Sequence, residues 1–234
     1  MPTALFLALL LSSSPAAPAV PPPSQEVAAL VDRCVAAYGG GEALQRGRRF
    51  RQDGHVTSIM HPGERAPLVR LYDRQLGLRV DVAWASGAES RIMFGGRGWR
   101  EGQEVDGPPL AAMVLQAARI DLPALLAAWR TKVIDGGPVT HQGKTLRALR
   151  LDLGSGLTLE ADLDPATGRI LRSHGRAAAT PAVEFVTTYD DFRAVDGLLV
   201  AFREGNWANG ASTGETVLTS ATLLKTLGEE VFRP

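Results

Sequence analysis

Hydrophobic positions recur along this chain with two periods, and the switches between them mark its elements. From Ser24, a helix cap, the residues Val27, Leu30, Val31, Cys34, Val35 and Tyr38 repeat every 3.6 positions and predict a helix with one buried stripe. Gly39-Gly40-Gly41 ends it, because glycine accepts the left-handed conformation that closes helices. Glu42-Ala43-Leu44 allows one more turn. From Phe50 the period falls to two. Phe50, Val56 and Met60 share one parity of a long strand that is expected to end near His61-Pro62-Gly63. Leu68 to Tyr72 predicts the next strand, and Asp73–Gly77 a turn. Leu78, Val80, Val82 and Trp84 then alternate with Arg79, Asp81 and Ala83, as in a sheet with one covered face. After Ser86-Gly87-Ala88 comes Ile92-Met93-Phe94. Gly95-Gly96-Arg97-Gly98 turns the chain into a short return strand at Trp99.

Residues 108 to 130, PPLAAMVLQAARIDLPALLAAWR, break this alternation. Leu110, Met113, Val114 and Ala117 share one helical face, and Leu122, Leu125, Leu126 and Trp129 repeat the spacing after a break at Arg119–Asp121. Pro123 is tolerated in a first helical turn, where its missing N–H is not needed. Two short apolar helices are predicted. Either they plug the end of a β core or they cover a cavity, and periodicity leaves both open.

The second half returns to strands. Asp135-Gly136-Gly137-Pro138 and His141-Gln142-Gly143-Lys144 read as turns. Leu149, Leu151 and Leu153 alternate with Arg150 and Asp152, and Leu157, Leu159, Ala161 and Leu163 with Thr158, Glu160, Asp162 and Asp164. Asp164 to Gly168 turns before Arg169–Ser173. Val183–Phe192 and Leu198–Trp207 pair around Val195-Asp196-Gly197, and Thr216–Leu224 supplies the last strand. The expectation is a mainly β (α+β) chain with about ten antiparallel strands and no internal repeat.

Composition narrows the function more than the fold. The 234 residues carry 25 Lys+Arg and 25 Asp+Glu, so no basic field favours nucleic acid. The single cysteine, Cys34, excludes an internal disulfide framework and any multi-cysteine metal site. Leu5 to Leu11 followed by Ser-Ser-Ser-Pro and Ala17-Pro18-Ala19 has the form of an export signal over residues 1–19. Val20–Pro23 follows as a stiff spacer, and a single domain is expected over residues 20–234. A mature protein outside the cytoplasm, in the periplasm, is the expectation.

Catalytic chemistry is not evident. His55, His61, His141 and His174 are widely separated and form no HxxxH or HxH pair. The chain has no G-x-S-x-G elbow, and Gly154-Ser155-Gly156 fits a hairpin turn. The arginines at 46, 48, 49 and 51 are expected on a solvated edge, and Asp190-Asp191, near Asp196, in a solvated turn. Glu160, Asp162 and Asp164 line up on what should be the wet face of a strand. Trp84, Trp99, Trp129 and Trp207 read as core anchors. No metal and no cofactor are expected.

The order of these parts resembles a known superfamily. A helix ending in Tyr38-Gly39-Gly40, long strands, the Gly-Gly-Arg-Gly-Trp turn and the apolar helical pair come first. Leu-Asp-Pro-Ala-Thr-Gly-Arg (163–169) follows, then Tyr189-Asp190-Asp191-Phe192-Arg193 running into Val195-Asp196-Gly197-Leu198. From Ser24 onward the whole resembles the outer-membrane lipoprotein carrier and sorting superfamily, the LolA/LolB-like proteins. The resemblance implies a curved, half-open antiparallel barrel whose helices close the mouth over an apolar cavity for acyl chains of lipoproteins or lipids. No functional residue of those carriers matches a position here by motif. On that reading the cavity would be lined by Leu110, Met113, Val114, Leu122, Leu126 and Trp129 from the helices. Val80, Val82, Trp84, Leu151, Leu159 and Leu163 would come from the sheet. The implied protein is a monomeric, non-enzymatic carrier that touches membranes transiently and has no nucleic-acid partner. An envelope-assembly protein with a filled core and envelope-protein partners is the alternative, and a hydrolase a more distant one.

Overall fold

The computed structural model describes residues 24–178 and 182–234, so the expected export segment and spacer lie outside the described residues. Two helices open the fold, α1 (Gln25–Ala37) and α2 (Gly40–Arg46). Six strands follow: β1 (Arg49–Ser58), β2 (His61–Asp73), β3 (Gly77–Trp84), β4 (Gly87–Phe94), β5 (Arg97–Arg100) and β6 (Gln103–Val105). The helical pair is α3 (Gly107–Ile120) and α4 (Leu122–Ala128). Seven more strands complete the sheet: β7 (Ile134–His141), β8 (Lys144–Gly154), β9 (Leu157–Leu163), β10 (Ile170–Ala177), β11 (Val183–Val195), β12 (Leu198–Ala208) and β13 (Ala211–Leu223).

All thirteen strands form one antiparallel sheet in the order β6-β5-β4-β3-β2-β1-β13-β12-β11-β10-β9-β8-β7. The sheet does not close, and its free edges are β6 and β7. Chain order explains the position of the helices. β1 to β6 step outward to one edge, α3 and α4 carry the chain across to the other, and β7 to β13 step back until β13 lies beside β1. A segment that must cross between two sheet edges lies over the concave face, and α3 packs on β9 and β10 at one side and on β4 and β5 at the other. Bulges at Asp53/Gly54 and Asn206/Trp207 interrupt the central pairings and help the sheet bend.

The sheet has thirteen strands against the expected count of about ten, and two that the sequence pattern does not mark, β6 and β7, are its edges. Asp135-Gly136-Gly137-Pro138 is part of β7, where a bulge between Asp135 and Gly137 absorbs the glycines. Pro138, which has no N–H to give, is tolerated on an outermost strand. β6 has three residues. A third difference is local. His61-Pro62-Gly63 opens β2 rather than ending β1, and the turn falls at Ile59 and Met60, so Met60 is 78% exposed instead of sharing the buried parity of Phe50.

The helices follow their sequence signals. The Ser24 hydroxyl accepts the Val27 amide at 3.2 Å, and Val27, Leu30, Val31 and Cys34 are buried. Burial pushes the Cys34 thiol up to about 12, so it remains protonated and inert. α1 and α4 pack together over Leu149, Leu151, Leu159, Ala161 and Leu163 of β8 and β9. A second cluster, from β1 to β3 with Phe202 and Leu218, fills the opposite wing. Among the described residues no single helix is long and apolar enough to cross a membrane.

Gly39 ties two of the sequence motifs together. It adopts φ +99°, and a Cβ built there would lie 2.0 Å from the carbonyl oxygen of Gly197 in the Val-Asp-Gly turn. Gly39→Ala is expected to destabilise the fold by about 1–3 kcal/mol from backbone strain alone. The clash adds to this, and urea denaturation at neutral pH measures the total.

Candidate functional site

A cavity of about 620 Å³ lies between α3 and the concave face. Its position follows from where the apolar clusters stop. α4 is packed with α1 and the sheet in one apolar cluster, while α3 touches that cluster through Ala118 and the opposite one through Ala117 and Ile120. Glycine permits α3 to sit close at its start, because a Cβ on Gly98 would meet Leu110 at 2.9 Å and Met113 at 3.2 Å. At the bend, Asp121 fixes the helical pair to the sheet. Its carboxylate accepts the Tyr72 hydroxyl at 3.1 Å and the Arg74 guanidinium. The two helices meet there at 83°. Burial raises the Asp121 pKa even though Arg74 draws it down.

Of the twelve residues expected to line a cavity, Val82, Trp84, Met113 and Leu159 do so, and Leu122 lines a smaller adjoining hollow of about 80 Å³. Leu126, Leu151 and Leu163 are fully buried in the cluster under α1 and α4, with Trp129 half-buried at its margin. Val80 is packed in the opposite cluster. Leu110 rests on Gly98, and Val114 is half-buried beside Leu115, Leu157 and Ala177. The structure therefore separates the two helices by role: α4 is core and α3 is roof.

The cavity wall is less apolar than the sequence reading implies. Arg70 sits at an inward position of β2, on the same parity as Ala66, Leu68 and Tyr72, and is 1% exposed. It donates to both oxygens of Glu204 at 2.9 and 3.1 Å and to Gln52 at 2.8 Å. Arg119, in the last turn of α3, donates to the same carboxylate at 3.2 Å. Burial alone would raise the Glu204 pKa, but the two guanidiniums outweigh it and hold the carboxyl down to about 2. Further out, Glu89 accepts the Trp84 indole N–H at 3.2 Å and faces Arg91 at 3.4 Å and Arg100 at 3.3 Å. His61 stacks on Trp84 at 4.0 Å between centroids. These polar residues were missed because an inward charge interrupts the alternation used to recognise a strand. The signal was their parity, Arg70 between Leu68 and Tyr72 and Glu204 two residues beyond Phe202.

On the convex face the carboxylate row is not uniformly wet. Asp162 is fully buried and is bound by Arg172 at 2.6 Å and His174 at 3.2 Å. Burial would raise its pKa, yet these two partners lower it. Ligand-type atoms of Glu160, Asp162 and His174 lie within 4.8 Å of one another, but Arg172 already supplies the positive charge beside Asp162. Asp190 and Asp191 are exposed within β11, and Arg193 pairs with Asp191 at 2.6 Å. The arginine cluster divides: Arg51 pairs with Asp53 on a solvent-exposed part of β1, which is an inner strand and not an edge, whereas Arg49 reaches the buried carboxylate of Asp73.

No protein-family model and no curated protein matches the chain. Among solved structures it is similar to the LolA superfamily protein NE2245 from Nitrosomonas europaea, at 11% identity. That alignment covers 88% of this chain and 97% of that one, with a TM-score of 0.56. It is also similar to a domain named for outer membrane lipoprotein sorting from Vibrio parahaemolyticus, at 14% identity. Here 88% of this chain and 95% of that one are covered, with a TM-score of 0.53. The open sheet roofed by a crossing helix, and these two likenesses over nearly the whole described length, give the chain a LolA-like fold.

Proposed function

We propose that the protein is a non-enzymatic carrier or binding protein of the periplasm that holds an acyl chain of a lipid or lipoprotein beneath α3. The observation that carries this reading is the cavity of about 620 Å³. It lies within the roughly 300–1,000 Å³ typical of ligand pockets. Val82, Trp84, Met113 and Leu159 give it apolar wall, and each methylene buried there contributes about 0.8 kcal/mol. One of the two similar structures is named for outer membrane lipoprotein sorting, which supports this reading.

The test starts from protein freed of bound lipid by unfolding and refolding. It is then exposed to phosphatidylethanolamine–phosphatidylglycerol vesicles and weighed intact by gentle mass spectrometry. A lipid adduct is expected. Ala112→Trp, which projects an indole from α3 into the cavity, is expected to remove most of it. A well-folded wild-type protein that never acquires an adduct is not a carrier.

A further inference from the structure

The charges facing the cavity do not balance. Arg70, Arg91, Arg100 and Arg119 line it, and these four guanidiniums outnumber the carboxylates paired with them: Glu89 on the wall, Glu204 in the adjoining hollow and Glu101 beside Arg100. Glu204 is saturated by Arg70 and Arg119. Glu89 is shared by Arg91 and Arg100, and Arg100 also reaches the exposed Glu101 at 3.9 Å. Arg91 otherwise meets Gln116 of α3 at the long distance of 3.5 Å, and the Nε groups of Arg91 and Arg70 are buried without a hydrogen-bond partner. Surrounding protein encloses Arg91, yet 32% of its side chain is open, because the cavity itself reaches it. Burial and the neighbouring Arg100, Arg70 and Arg119 all act to lower its pKa, against Glu89. A guanidinium is too basic to neutralise itself by losing a proton, so it gains most from an anion brought into the site.

Resting on the carrier reading above, we infer that the ligand is an anionic amphiphile: its acyl chain lies against Val82, Met113 and Leu159, and a carboxylate or phosphate group sits against Arg91 and Arg119. Both guanidiniums line the cavity from different elements, Arg91 from β4 and Arg119 from α3. An anion between them would tie the roof to the wall. The apolar residues set how much chain is buried, and the arginines set which end of the ligand is accepted. Charge-assisted, forked hydrogen bonds to such a group are about twice as strong as neutral ones.

Calorimetry with dodecanoate, dodecyl phosphate, dodecanol and dodecyltrimethylammonium, with inorganic phosphate as a fifth titrant, separates the possibilities. Both anionic amphiphiles are expected to bind at least about tenfold more tightly than dodecanol, and the cationic one more weakly than dodecanol. In Arg91→Met the preference for dodecanoate over dodecanol should collapse toward one, and Arg91→Lys should retain much of it. Near-ultraviolet circular dichroism checks that each variant is folded. If Arg91→Met does not fold, Arg100→Gln, whose side chain is 57% exposed, carries the same comparison with a smaller fall. Equal binding of all four amphiphiles, or a preference unchanged in the arginine variants, overturns the anionic ligand and leaves the carrier reading intact. Inorganic phosphate binding as tightly as dodecyl phosphate makes this a free-anion site and also overturns it. Binding of none of the amphiphiles removes the carrier reading itself.

Discussion

Replacing Glu204 with glutamine is expected to lower the free energy of unfolding by roughly 3–5 kcal/mol, the range for removing one partner of a buried ion pair. Arg70 has no alternative carboxylate: its remaining hydrogen bond is to the neutral Gln52, and the residue is 1% exposed. The glutamine amide would present an N–H₂ where a guanidinium now donates, so one of the two Arg70 contacts becomes a donor–donor contact. Arg119, already near the same oxygen, would then face Arg70 without a negative charge between them. Arg70→Met combined with Glu204→Leu should lie closer to wild type than either single replacement, because the pair is removed with its desolvation cost. Urea denaturation of the four proteins at pH 7 gives the cycle.

The same carboxylate sets an acid limit. Its folded pKa of about 2 lies below its ordinary value of 4.5, so its contribution is fully present above about pH 4.5. That contribution is lost as pH falls through the interval toward 2. Melting midpoints across that interval should fall more steeply for wild type than for Glu204→Gln. Parallel curves would mean that Glu204 does not carry the acid sensitivity.

Leu126→Ala is expected to destabilise the protein by about 2–5 kcal/mol, as for a large aliphatic side chain removed from a closed core. Leu126 is 0% exposed and sits in the cluster formed by α1, α4 and the β8–β9 wing. Leu126→Glu should prevent folding, since an ionised carboxylate there would have no partner. The helical pattern alone gives α3 and α4 the same apolar stripe, and from it Leu126 looks as much like a lid residue as Met113. The difference arises from α1, which covers α4 and not α3, and no local pattern contains that information. If Leu126→Ala changed lipid occupancy while leaving the urea midpoint untouched, the division into core helix and roof helix would be wrong.

What was legible and what was not follows from how each element is held. Strands with one covered face, such as Leu78–Trp84, carry their own evidence in alternation, and α1 carries its cap, its stripe and its closing glycine. β6 and β7 lack such evidence because an edge strand needs partners on one side only and can contain Gly and Pro. The apolar part of the cavity was partly legible, through Val82, Trp84, Met113 and Leu159. Its charged part was not. Arg70 and Glu204 are 134 positions apart and become partners only when β1, β13 and β12 bring β2 within reach.

The pairing of β1 with β13 has a consequence for how the molecule assembles. Every other rung of the ladder joins strands that are neighbours along the chain, so each flank can zip up from local hairpins as it emerges. The central seam, where Phe50 meets Leu223, must wait for the last strand to be delivered, and loop closure over that distance makes it the slow step. Until then β1 offers an unpaired rim to any strand nearby. Truncation before Ala211 would therefore leave two half-finished sheets rather than a smaller version of the same protein.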